Sequence, residues 1–425
     1  MSEFPYYTEP THDRGTVTVD ANNAARTTAT SGSSGEDRLV VDILDKIMLL
    51  EPNKHPLVTL LTQVGKVWDG QAWKGVPIRK SSAFNPEFRW IEDYYGGRYC
   101  RVSGTYATGA VTVTVTGAGS SSAYIFTPGD IVINKRTGER MRVATVASAT
   151  TITFGANDRS FGSTAEAAGA DGDGLFLIGN VSEENSNARN VNTTRTTNES
   201  NYTQIFKTSI AVSGTEKEVK LYGGPDLKYQ RIKKGTEHAL DIERAFWFSE
   251  KNSDSNGTQG HPRRSTGGVL EFIEGGNSYV QNQGGVLTKP DLNTFLREGF
   301  AYNNGGSKYL FCGNLVLQAI NELVSDQIRI VPTTSAYGLS LRQWFTSFGT
   351  VNLIHNPLFV EDYAGYAFLL DLEGFGYRNI NNRDTKLFTN VQANDTDGQV
   401  DQYVTECGLE RKQAPLHALL KGVTA

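Results

Sequence analysis

The chain has 425 residues, a formal net charge of −5 and a hydrophobic share of 38%. That length allows about two to four domains with real cores, and the mild acidity argues against a dedicated nucleic-acid binder, whose contact face would be strongly basic. Three scattered cysteines, Cys100, Cys312 and Cys407, make neither a CxxC pair nor a disulfide framework, so a reducing cytoplasm is the expected place of synthesis. The opening residues are polar and acidic, unlike a secretory leader, and no apolar run of about 18 residues predicts a membrane span.

Residues 1–36 show no hydrophobic periodicity, and Thr27–Gly35 is only Ser, Thr, Ala and Gly. Such a stretch cannot offset its ordering entropy by burial within its own chain. It reads either as a disordered tail or as an arm that orders against a neighbouring subunit. From Glu36 the pattern changes: Leu39, Ile43, Ile47 and Leu50 fall at helical spacing, and Pro52 ends the run. A second short apolar element follows at His55–Val64. Residues 73–100 read as extended and are dense in aromatics (Phe84, Phe88, Trp90, Tyr94, Tyr95, Tyr99), which suits a strand arm packed on something outside itself.

Residues 101–180 read as a small antiparallel β domain. Residues 111–116 alternate as VTVTVT, and Arg136-Thr137-Gly138-Glu139 reads as a hairpin turn between two strands. Residues 181–204 are polar and read as an exposed return strand or loop. The β module therefore sits between two extended arms, as an insertion in a hairpin.

Ser213-Gly-Thr-Glu216 resembles a capping box. The strongest helix is predicted over about 225–250, with Ile232, Ala239, Ile242 and Phe246 on one face and Gly235 as a local weak point. Residues 269–425 mix helices, near 291–303 and 315–324, with strands near 308–312, 350–354, 366–370 and 400–409.

The search for chemistry returns no local motif. The six histidines form no HExxH pattern and no close pairing with another His or a Cys. His238, beside Glu237 and Asp241, is expected on the surface of the long helix. Gly223–Asp226 and Gly305–Lys308 lack phosphate-loop spacing, and no GxSxG occurs. Asp171-Gly-Asp173-Gly and Asp395-Thr-Asp397-Gly resemble pieces of calcium loops, but neither completes one. His261-Pro-Arg263-Arg264 reads as a solvated turn or a subunit contact. No catalytic, cofactor-binding or metal residue is predicted.

Four segments in order resemble one family. They are Phe126–Val146, Asn201–Gly214 with His238–Glu243, Arg264–Ile273, and Tyr403–Leu419. Together they look like a major capsid protein of tailed bacteriophages with the Hong Kong 97 type fold, in the subgroup with a β insertion in its extended loop. The departures are Gly235 within the helix and Phe154–Ser163 in place of the usual arginine-glycine turn.

The resemblance implies an α+β subunit: an N-terminal arm over 1–75, an extended loop over 76–205 holding the β insertion at 101–180, and a peripheral domain over 206–287 with the long helix. An axial domain over 288–400 and closing strands of the peripheral domain over 401–425 complete it. It implies self-assembly through hexamers and pentamers into a head around double-stranded DNA, with non-specific DNA contact, no membrane, no cofactor and no enzymatic role. Portal, scaffolding and decoration proteins are the further partners it implies. A tail or decoration protein would explain the β module but not the long helix. A glycan hydrolase would need a carboxylate pair that no motif supplies.

Overall fold

The computed structural model describes residues 55–62, 64–68, 73–77, 79–116, 122–162, 165–219, 226–255, 257, 260–302, 306–324 and 342–424. The polar arm, the amphipathic segment Leu39–Leu50 and the glycines at 223–224 lie outside them.

The described chain opens with α1 (Pro56–Leu61) and the antiparallel pair β1 (Val64–Trp68) and β2 (Trp73–Pro77). After β3 (Lys80–Ala83) and β4 (Glu87–Glu92) come six short strands: β5 (Tyr99–Arg101), β6 (Thr112–Thr114), β7 (Asp130–Asn134), β8 (Arg140–Ser148), β9 (Thr151–Phe154) and β10 (Gly174–Asn180). These six form one antiparallel sheet in the order β5-β10-β7-β8-β9-β6. Its core is closed on itself. Val113, Val115, Val132, Met141, Val143, Ile152 and Phe154 are buried together, as period-two alternation requires. Gly138, at φ 74°, supplies the left-handed residue in the turn between β7 and β8.

The chain then returns along β11 (Thr197–Tyr202), which pairs only with β4, and enters β12 (Gln204–Ser213). Ser213 Oγ accepts from the Glu216 amide and caps α2 (Gly214–Glu218). The long helix α3 runs Asp226–Phe248, and β13 (Asn252–Asp254) and β14 (Arg263–Ser265) form a hairpin behind it. Next are α4 (Val269–Gly275), β15 (Tyr279–Val286), α5 (Lys289–Gly299), β16 (Ser307–Cys312) and α6 (Asn314–Val324). The chain closes with β17 (Arg342–Phe345), β18 (Thr350–His355), β19 (Ala367–Leu370), β20 (Phe375–Ile380), β21 (Lys386–Phe388), β22 (Gly398–Arg411) and β23 (Ala418–Thr424).

Two sheets organise this second half. In the first, β12, β22, β20 and β3 lie side by side, with β21 on the far edge of β22, and α3 packs against β12 and β22. In the second, the order is β15-β23-β19-β16-β18-β17, with parallel pairs at β15/β23 and β16/β18. This second sheet is buried on both faces. Phe311, Phe368 and Leu419 join the cluster around Trp247 of α3, while Leu310, Cys312, Leu369 and Leu420 join the cluster with α5 and α6. That is why β19 reads as an unbroken apolar run rather than an alternation.

Three expectations change here. Ile232 does not share the buried face with Ile242 and Phe246; it stands 65% exposed, while β22 holds the same turn of α3 through Tyr403 and Asp401 on Arg231. His238 is buried, not on the surface. The closing residues divide: β22 joins the sheet beside α3, but β23 pairs with β15 and β19 in the other sheet. Conversely β20 and β21, expected with the axial strands, pair with β22. These are partners far apart in sequence, and local pattern does not encode which edge a strand meets.

Candidate assembly surface

Strands β4 and β11 make a two-stranded ribbon, with Thr197 opposite Glu92 and Tyr202 opposite Glu87. Alternation sends Trp90 and Glu92 inward and leaves Arg89 and Ile91 facing solvent. The inward side is fastened at two points. Glu92 Oε1 accepts from Trp90 Nε1 at 2.8 Å and from the Gln413 amide at 2.9 Å, while Oε2 accepts from the Tyr94 hydroxyl at 2.7 Å. Partial burial, and then the adjacent Glu92, push the Tyr94 hydroxyl above its usual range. Asn201 is the second fastening. Its Nδ2 donates to Leu409 O at 2.7 Å and Gly267 O at 3.1 Å, and its Oδ1 accepts from the Gly267 amide at 2.8 Å. Gly408 lets the ribbon approach β22, since a Cβ there would lie 2.6 Å from Tyr202 O.

Among the described residues, large apolar side chains on and beside the ribbon are left exposed. Phe84 is 90% exposed, Ile91 is 73% exposed, and Tyr95 and Val191 stand almost wholly in solvent. Burying one such large apolar side chain is worth about 1.5–3 kcal/mol. Large apolar side chains left exposed in one stretch of chain are the kind of surface that contacts use.

The six-stranded sheet spends its polar residues differently. Arg159 donates to both oxygens of Glu139, at 2.6 and 2.8 Å, and both side chains are fully buried. The Ala110 and Ala167 carbonyls accept from two more of its donors. Arg136 pairs with Asp173 at 2.7 Å and holds that carboxyl down at about 2, helped by Asn134 and the Ala170 amide. The turn Arg136–Glu139 thus supplies one partner to each of two ion pairs. Asp173, half of a calcium-like fragment, is committed to this structural pair, and Asp171 accepts from the Gly104 amide.

The other flagged residues are dispersed. His238 bridges Thr208 Oγ1 at 2.9 Å and Thr405 Oγ1 at 2.7 Å, locking α3 to β12 and β22, and burial lowers its pKa. Asp395 and Asp397 lie exposed in the turn before β22, and Arg263 pairs with Asp254 across the β13–β14 hairpin. Lys308 is buried, with Nζ donating to Gly299 O and Leu416 O at 2.6 and 2.7 Å; burial pushes it down to about 8. Among the described residues no three His, Cys, Asp or Glu side chains gather as a metal-ligand set, and no helix is long and apolar enough to cross a membrane.

Sequence reading named Glu243 only as the end of the His238–Glu243 resemblance and gave it no role. This fully buried carboxylate accepts from the Leu57 amide at 3.0 Å, the Val58 amide at 2.7 Å and Trp247 Nε1 at 2.9 Å. It therefore caps the start of α1 from the C-terminal part of α3. The only local signal was an acid within an apolar helical stripe.

The family model described as SU10 major capsid protein matches residues 20–424, so the chain belongs to that family, and forming a capsid shell from copies of itself is its function. Its architecture is a mixture of helices and sheets, the α+β class that the sequence resemblance implied. The capsid protein family is structural and is not an enzyme class. No curated protein matches the chain.

Similar solved structures include an encapsulin complex from Synechococcus elongatus, with TM-score 0.40, 13% identity, and 54% of this chain and 78% of that one covered. The cyanophage A-1(L) capsid has TM-score 0.40 and 10% identity, with 58% and 85% covered. The capsid of Myoviridae phage XM1 has TM-score 0.39 and 12% identity, with 57% and 81% covered.

Proposed function

We propose that copies of this chain form hexamers and pentamers in which the ribbon of one subunit lies across its neighbour, closing a head around double-stranded DNA. The observation that carries this reading is the exposure of three large apolar side chains, Ile91 on the ribbon and Phe84 and Tyr95 just before and after its first strand, where the ribbon is otherwise fastened to its own subunit. Head-to-tail contacts of one patch on a different patch generate rings. In this reading residues 1–75 are the arm and 76–205 the extended loop, with the sheet at 101–180 as its insertion. The sheet beside α3 is peripheral, and the sheet with α5 and α6 is axial. DNA is confined without being read. A portal, a scaffolding protein and a decoration protein are the further partners this role calls for. Synthesis is in the host cytoplasm, and the chain has no catalytic task.

Negative-stain microscopy and sedimentation of the expressed full chain test this. Shells or capsomers of five and six subunits are expected. A purified chain that forms tubes, or stays monomeric at all concentrations, would overturn the reading.

A further inference from the structure

The six-stranded sheet buries one face in its own core, and its other face carries an apolar band. Residues directly opposite on paired strands share a face. The register therefore sets Tyr99, Phe176, Ile133 and Arg140 in one row across β5, β10, β7 and β8. That row turns away from the core, because Cys100, Leu175, Val132 and Met141, their neighbours along the same four strands, are all buried in it. Phe176 stands 39% exposed, and Ile178, further along β10, 52% exposed. Cations frame the band. Arg101 lies over the Tyr99 ring at 5.5 Å, Lys135 lies over the Phe176 ring at 5.4 Å, and Arg98 is exposed next to Tyr99 in the chain. None of these three pairs with a carboxylate among the described residues. Arg136 and Arg159 of the same sheet do, with Asp173 and Glu139.

The end of β10 supplies the opposite charge. Past Asn180 the chain turns over Glu183–Ser186, where the Ser186 amide donates to Glu183 O at 3.2 Å and Asn185 takes φ 57°. Arg189 ties the far side of the turn back to Asp130 at 2.6 Å. Glu183 and Glu184 are thus held exposed just beyond the band, after exposed Val181, and neither pairs with a cation among the described residues.

A surface with an apolar band, unpaired cations and adjacent unpaired carboxylates carries its own electrostatic complement. It suits a second copy turned about a two-fold axis, where the cations of each copy meet the carboxylates of the other. Packaged DNA fits it less well, since Glu183 and Glu184 would repel phosphate at the same surface. Head-to-tail contacts build a ring but do not join one ring to the next, so a shell needs a second contact of another kind. We propose that this face is that contact: Phe176 and Ile178 pack on the second copy, and Arg101 and Lys135 meet the second copy's Glu183 and Glu184. The inference rests on the reading that the chain builds a shell from rings.

Carbodiimide crosslinking tests it, since the reagent joins an amine to a carboxylate in contact with it. Shells are assembled from a mixture of isotope-labelled and unlabelled full chains and the linked peptides are read by mass spectrometry. A link from Lys135 to Glu183 or Glu184 is expected between a labelled and an unlabelled chain, in shells and not in free subunits. Interchain links elsewhere without this one, or a Lys135 link confined to single chains, would overturn the contact. As a second measurement, Arg101→Glu with Lys135→Glu should raise the chain concentration needed for shells about tenfold, and adding Glu183→Lys with Glu184→Lys should restore it. A loss that the second pair of reversals does not restore would overturn the pairing. A wild-type chain that makes no shells would overturn the ring-and-shell reading itself, so the two failures are distinguishable.

Discussion

The six-stranded sheet at residues 99–180 and the β4–β11 ribbon that carries it are both built from short strands, yet they resolve their side chains in opposite ways. The sheet closes one core, in which Val113, Val132, Met141 and Ile152 meet one another, and its charges pair, Arg159 with Glu139 in the interior and half-exposed Arg136 with Asp173, although Phe176 and Ile178 of β10 remain exposed. The ribbon fastens one side to its own subunit through Glu92 and Asn201 and leaves Phe84, Ile91 and Tyr95 in water. A region that satisfies itself is stable in the free subunit. A region that does not is stabilised only by the next copy. Helix α3 repeats the contrast within one element, its C-terminal part in the core around Trp247 and its N-terminal part with Ile232 bare.

The largest effect should come from the ribbon. Ile91→Lys combined with Phe84→Ser replaces side chains that touch no core of their own subunit, so the free subunit's stability should move by less than about 0.5 kcal/mol. Assembly should be lost, read as the disappearance of the fast-sedimenting species. Normal shells from this variant would mean that the bare face is not a contact and would end the comparison. The sheet makes the converse prediction. Glu139→Ala leaves Arg159 buried without its counter-charge and should cost about 3–5 kcal/mol. Amide exchange over residues 99–180 should rise, while exchange in β22 stays slow. Equal loosening of β22 would show that the sheet does not stand alone.

Much of this arrangement could be read locally. The 3.6-residue period located α3, α5 and α6, Ser213 marked the cap of α2, and Arg136–Glu139 marked the turn between β7 and β8. What escaped was everything set by a distant partner. Periodicity shows that a helix has an apolar face but not how far its cover extends, so Ile232 was placed inside and His238 outside. The parallel pairing of β15 with β23 joins residues more than a hundred positions apart. The contact surface was half legible. The aromatics of residues 84–99 announced an arm, but only the register of β4 against β11 separates inward Trp90 from outward Ile91.

Glu243 offers a titration of the closed part of α3. A glutamate ordinarily ionises near 4.5; burial, outweighing three N–H donors, pushes Glu243 up to about 7. The folded state therefore keeps a proton that the unfolded chain has released, and stability falls as pH rises between those values. The contribution is fully present below 4.5 and lost above about 7, on the order of 3 kcal/mol across the window. Denaturant melts from pH 4.5 to 7.5 should show this slope, and Glu243→Gln should flatten it. An unchanged slope in the variant would assign the pH dependence to another group.

The smallest effect tests α3 at Gly235, where β22 meets the helix. Replacing a mid-helix glycine by alanine gains up to about 1 kcal/mol in helix propensity. A Cβ there would meet the Tyr403 hydroxyl at 3.3 Å, closer than a relaxed contact. That hydroxyl donates to Arg231 O at 3.1 Å, so the ring is held by the same helix it would have to yield to. The two terms oppose each other, and Gly235→Ala should change stability by less than about 0.5 kcal/mol. Tyr403→Phe in the same background removes the hydroxyl and should release the propensity gain, read as a rise in the unfolding midpoint over Tyr403→Phe alone. If Gly235→Ala alone already delivers the full gain, β22 does not constrain α3 at this turn. The closed part of the helix would then begin only at His238, one turn later than Tyr403 places it.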